Sequence, residues 1–175
     1  MSYGYPASGS TSVRPHTPST VGGAAYSYDN NGNLLSGGGR TYTWTPENLP
    51  ATITSGGVTE TYGYDADSER VTRTVGGATT VYLGALIEQT GGAVKRYYSF
   101  NGANVAVRSA SGVSYLYGDH LGSMGASSDG AGGTISRQWF DAWGDVQSGA
   151  LSATTLNYTG QRLDGTGLLY YHARY

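Results

Sequence analysis

A chain of 175 residues is one domain or part of a larger one. Its formal charge of -2 and pI of about 5.8 offer no electrostatic case for nucleic acid or an anionic membrane surface, and no apolar run approaches the roughly 18 residues of a membrane span. Cysteine is absent, so there are no disulfides and no thiolate metal ligands, and the redox compartment stays open.

Leu, Ile, Val and Phe make up only 28 of the 175 residues, while Gly numbers 29 and Tyr 16. Low aliphatic content signals disorder mainly when net charge is high, and here it is not. Each aromatic ring buries roughly 150–250 Å², so a thin sheet faced with tyrosine can hold a core with few aliphatics.

In chain order, residues 1–20 carry Pro6, Pro15 and Pro18 among Ser and Thr and read as an extended or flexible arm. The residues after Met1 form neither a basic region nor an apolar stretch, so no signal peptide is expected. Residues 21–113 repeat one pattern. Glycine pairs fall at Gly22-Gly23, Gly38-Gly39, Gly56-Gly57, Gly76-Gly77 and Gly91-Gly92, and an aromatic cluster follows each. Fixed spacing of this kind marks a repeat architecture. One copy shows the unit. Gly56-Gly57 supplies positive φ for a tight turn. Val58, Glu60, Tyr62 and Tyr64 then share one strand face, Asp65-Ala66-Asp67-Ser68 turns, and Arg70–Val75 returns. Each period holds two short strands and two turns. Pro46 and Pro50 bracket a loop and are not expected in a central strand. No stretch has a helical period.

Tyr28-Asp29 with Gly32, Tyr42 with Trp44, and Tyr64-Asp65 with Glu69-Arg70 resemble the YD-repeat, or RHS, family. Residues 114–175 are similar to its RHS-repeat-associated core, through Tyr115, Tyr117, Asp119-His120, Gly122-Ser123 and the stretch Trp139–Val146. Tyr158, Gly160, Arg162 and Gly167–Tyr175 complete the similarity. The resemblance implies an all-β fold: repeated hairpins in a long twisted antiparallel sheet that curls as part of a spiral shell. Such shells enclose a toxin or serve adhesion, and many cut their own chain with an aspartic-protease-like site. No residue here matches those aspartates. The resemblance also implies an extracellular or cell-surface setting.

Three constellations invite chemistry. Asp119-His120 with Ser123 has the types of a nucleophile, base and orienter, but a short loop does not show that they converge. Asp141, Asp145 and Asp164 offer carboxylates for acid–base work, yet each sits among turn residues and reads as a turn cap. His16, His120 and His172 are scattered, and Asp29–Asn33 lacks the distal Glu of a calcium loop, so no metal or cofactor is expected. Tyr42, Trp44, Tyr62 and Tyr64 are candidates for stacking sugar rings. Arg70, Arg73, Lys95, Arg96 and Arg108 read as solvated strand residues or cross-strand pairs. The resulting expectation is a structural or interaction protein that is not an enzyme. Its unpaired strand edges would meet another copy, as a tube or filament, or the rest of a longer RHS chain. Glycans are a further candidate partner.

Overall fold

The computed structural model describes residues 1–9, 14 and 16–172. Of the expected arm, Ser10–Val13 and Pro15 lie outside the described residues, as do Ala173–Tyr175 of the C-terminal motif. The chain forms two compact units, Met1–Tyr62 and Gly63–Tyr175.

In the first unit, β1 (Tyr3–Gly4), β2 (Thr20–Val21) and β3 (Ala24–Ala25) make a small antiparallel sheet, so part of the expected arm is paired. The hairpins begin with β4 (Ser27–Tyr28), β5 (Leu34–Gly37), β6 (Arg40–Trp44), β7 (Pro50–Ser55) and β8 (Val58–Tyr64), whose last two residues enter the second unit. In that unit follow β9 (Arg70–Val75), β10 (Ala78–Leu83), β11 (Ile87–Thr90), β12 (Ala93–Phe100) and β13 (Ala103–Ser109). Then come β14 (Gly112–Gly118), β15 (Met124–Asp129), β16 (Ile135–Phe140) and β17 (Val146–Gly149). Strands β4 to β17 pair in chain order in an antiparallel sheet of 14 strands that does not close. After β17 the chain has little regular structure: a 3-10 turn (Tyr158–Gly160), then β18 (Arg162–Leu163) paired with β19 (Leu169–Tyr170).

Two turn chemistries build the hairpins. Gly38-Gly39, Gly56-Gly57 and Gly76-Gly77 each have φ between +55° and +81° at both positions, which only glycine adopts at little steric cost. Asn101-Gly102 does the same with φ of 48° and 80°, Asn being the non-glycine residue that tolerates this region best. The other turn is a five-residue loop opened by Asp. In Asp65–Glu69 the Asp65 N–H donates to the Glu69 carbonyl, and its Oδ1 accepts from the N–H groups of Asp67 and Glu69 at 3.0 and 2.9 Å. Asp29, Asp119 and Asp141 repeat the arrangement at the ends of β4, β14 and β16. The carboxylate stands in for a backbone partner, so a Tyr-Asp pair marks the junction of strand and turn.

Asp129 closes a longer loop and is held below the usual carboxylate range by the N–H groups of Gly133 and Thr134 and the Thr134 hydroxyl. A depressed carboxyl contributes stability above its unfolded pKa, near 3.8, and loses it as pH falls through the folded value. Asp129→Asn should therefore flatten the loss of stability seen below about pH 4. Urea melts of both proteins at stepped pH check this; parallel acid limbs would contradict it.

Threonine pairs staple neighbouring strands. Thr43 meets Thr52, Thr54 meets Thr59, Thr74 meets Thr79 and Thr80 meets Thr90, with hydroxyl oxygens 2.7–2.8 Å apart. Pro50 departs from expectation: it is the first residue of β7 and lies opposite Trp44. A first position needs no ladder N–H, and the register shift between Thr43 and Trp44 absorbs the misfit.

The second unit has its core on one sheet face. Tyr97, Val107, Leu116 and Met124, from β12 to β15, pack with Leu156 of the C-terminal segment. That segment, residues 151–172, lies along this face. Lys95 Nζ donates to the Ala153 carbonyl at 3.0 Å, Met124 N–H to Asn157, and Thr159 N–H to the Ser123 hydroxyl. A sheet face with few aliphatics is thus completed by the chain's own C-terminal stretch.

A buried column of arginines and tyrosines

The polar centre of the second unit lies between β9–β12 and the β18–β19 hairpin. Arg70 opens β9, Tyr82 is on β10, Glu88 on β11 and Tyr97 on β12, all buried. Arg162, Asp164 and Tyr170 come from the C-terminal segment and are also buried. Rings and guanidiniums alternate. Arg70 lies 4.1 Å from the Tyr170 ring centroid and 5.1 Å from that of Tyr82. Arg162 lies 5.1 Å from Tyr82 and 5.2 Å from Tyr97. The order is therefore Tyr170, Arg70, Tyr82, Arg162, Tyr97, with each guanidinium between two electron-rich faces.

Each cation also has a carboxylate. Asp164 takes Arg70 in a fork, at 2.5 and 3.2 Å, and Arg73 approaches it at 3.5 Å. Glu88 is ion-paired with Arg162 and accepts from the hydroxyls of Tyr97 and Thr155, both at 2.9 Å. The Arg70 N–H donates to the Tyr170 hydroxyl at 2.9 Å. Burial pushes Arg162 down to about 10, partly offset by Tyr82, deepened by Arg70 and offset again by Asp164, so it stays charged at neutral pH. Burial likewise raises the Tyr97 and Tyr170 phenols and keeps them neutral. A cavity of 410 Å³ opens beside the column, rimmed by Asp65, Glu69 and His172. His172 Nδ1 lies 2.7 Å from Glu69 at its exposed mouth.

This arrangement neutralises its own charges and joins the C-terminal segment to four strands. It corrects two expectations. Arg70 is not a solvated strand residue; its side chain is 1% exposed. Asp164 opens a turn through its backbone, but it is more than a turn residue: its buried carboxylate is paired with Arg70. A guanidinium in low dielectric demands a partner more strongly than a turn N–H beside water does. The pairing joins residues 94 positions apart. The sequence signal was limited to Glu60, Arg70 and Glu88 standing among inward positions of alternating strands.

The other candidates lie outside the column. Ser123 is buried, with its hydroxyl accepting from Thr159, whereas His120 is exposed and Asp119 serves its own turn. Burial alone would raise the Asp119 carboxyl, but hydrogen bonds from Ser123 and Leu121 outweigh it and hold it low. Asp141 caps the turn to Asp145. Gly122 and Gly160 hold positive φ beside each other, and Tyr158 donates to the Ala142 carbonyl. Among the described residues no cluster of three metal-ligating side chains occurs. In the first unit Tyr42 stacks on Trp44 at 6.3 Å, and the indole N–H donates to the Leu34 carbonyl. Tyr62, expected among the sugar-stacking rings, is buried with its hydroxyl on Glu60. Tyr28 donates to the Pro18 carbonyl, and Tyr115 and Tyr117 are exposed.

No family model matches the chain. The solved structure of TcdB2-TccC3-Cdc42 superposes with a TM-score of 0.69 at 22% identity, covering 85% of this chain and 9% of that one. The fold is RHS-like. Two curated relatives are each 32% identical over 89% of this chain. They are the tRNA3(Ser)-specific nuclease WapA of Bacillus spizizenii and the tRNA nuclease WapA of Bacillus subtilis strain 168. The chain spans 7% of the length of either. Against the expectation that the chain is not an enzyme, both relatives are named as tRNA nucleases. A net charge of -2 speaks for the average surface of 175 residues, not for a whole protein or for one face. No helix among the described residues is long and apolar enough to cross a membrane.

Proposed function

We propose that these residues are a wall segment of an RHS-type shell within a larger toxin-like protein, delivered outside the cell and acting on tRNA as its relatives do. Residues 151–172 laid on the sheet and locked by the Arg–Tyr column carry this reading. The segment finishes one sheet face, while β4 and β17 stand at the two ends of the strand order as edges for further strands. Further strands of the same larger protein suit those edges better than a second copy, because both relatives extend far beyond the matched part.

A chimera tests it. The matched segment of the Bacillus subtilis relative is replaced by this chain, or deleted. The chimera should purify as a trypsin-resistant protein with tRNA cleavage retained, and the deletion should be degraded. Equal degradation of both would count against a wall role.

A further inference from the structure

The opposite face of the second unit's sheet carries a different surface. The cross-strand register places Arg96 of β12 directly opposite Arg108 of β13, both exposed. Like charges in direct opposition destabilise a sheet. Among the described residues neither makes an ion pair. One row along, Tyr98, Ala106 and Tyr115 are aligned across β12, β13 and β14, and Tyr117 follows two positions later, across from Ala126, which in turn pairs with Arg137. Strands about 4.8 Å apart put Tyr98 and Tyr115 about 10 Å from each other. Tyr98 and Tyr115 are each 45% exposed, Tyr117 51% and Trp139 57%. These rows contain three arginines and no carboxylate.

We propose that this face binds a single-stranded polynucleotide. Guanidinium forks match phosphate oxygens bidentately, and exposed rings give successive bases a flat face to lie on. The Arg96–Arg108 pair, a liability in the free sheet, becomes a two-pronged phosphate clamp once an anion sits between. An acidic peptide would use the arginines and leave the rings idle, and sugar rings lack the flat π-face that these tyrosines meet best. The inference stands on this face alone and does not depend on the shell reading.

Fluorescence anisotropy of the 175-residue chain with labelled oligouridylate and oligothymidylate tests it, with heparin as a polyanion without bases. Three arginine contacts on a single strand give a slope of log K against log salt of about -2. R96S/R108S should bring it to about -0.7. Tyr98→Ala and Tyr115→Ala should each weaken binding roughly 5- to 150-fold, the effect of losing one stacked base. All three variants lie on an exposed face, so thermal melts should stay in place or, for R96S/R108S, rise slightly. Preference for either oligonucleotide separates RNA from DNA. Undetectable binding, a response equal in wild type and variants, or heparin bound tightly with the tyrosine variants unaffected would overturn the proposal.

Discussion

Asp164→Ala is expected to destabilise the second unit by about 3–5 kcal/mol, among the largest effects of any single substitution. The loss is not that of a favourable contact alone. Both side chains of the Arg70–Asp164 pair are almost fully buried, at 1% and 2% exposure. Removing the carboxylate takes a forked anion from a guanidinium held in low dielectric beside the Tyr82 and Tyr170 rings. Ring faces contribute roughly 0.5–2 kcal/mol each, too little to replace the anion. Replacing both partners with apolar residues, Arg70→Met with Asp164→Leu, should recover most of the loss, because the desolvation cost of the pair disappears with it. Chemical denaturation of the two single variants and the double variant gives the coupling. A double variant as unstable as the sum of the singles would show that the pair acts through something other than mutual neutralisation.

Removal of Ala150–Tyr175 should have a still larger effect: loss of the cooperative melt of the second unit and binding of a hydrophobic dye. The deletion strips cover from Tyr97, Val107, Leu116 and Met124 and withdraws Leu156 from among them. Truncating one buried Leu costs about 2–5 kcal/mol. It also takes Asp164 from Arg70 and Arg162 from Glu88. Those losses together reach the 5–15 kcal/mol that typically holds a whole domain. Leu156→Ala alone, expected to cost about 2–5 kcal/mol, separates a packing role from a general effect of shortening the chain. A truncated protein that melts like the parent would show that the segment is an accessory tail.

Much of the fold is legible in the residues because its rules are local. Gly56-Gly57 specifies its turn through two positive φ values, and Asp65 specifies the next through a carboxylate that reaches only its own loop. The alternation from Val58 to Tyr64 fixes which side chains turn inward, and Glu60 and Tyr62 do so. Pro50 misled because a proline at a strand's first position violates nothing. The column was not legible for the opposite reason. Its partners, Arg70 with Asp164 and Glu88 with Arg162, are 94 and 74 residues apart and meet only because residues 151–172 fold back on the sheet. Asp164 looks locally like every other turn aspartate. Only burial reveals that its carboxylate pairs with Arg70. The enzymatic association was illegible for a third reason: it attaches to relatives of which these residues make up 7%.

Native-state hydrogen exchange read residue by residue tests the central claim, that the C-terminal segment is an integral layer held by the Arg–Tyr column. The amides of Met124, Thr159 and Leu163 donate to, or belong to, that segment, and the Arg70 amide donates to Tyr170. All four should exchange with the slow, global opening of the second unit, together with the β12 and β13 amides. Residues 151–172 exchanging like a free peptide, while β9–β16 stay protected, would contradict the account.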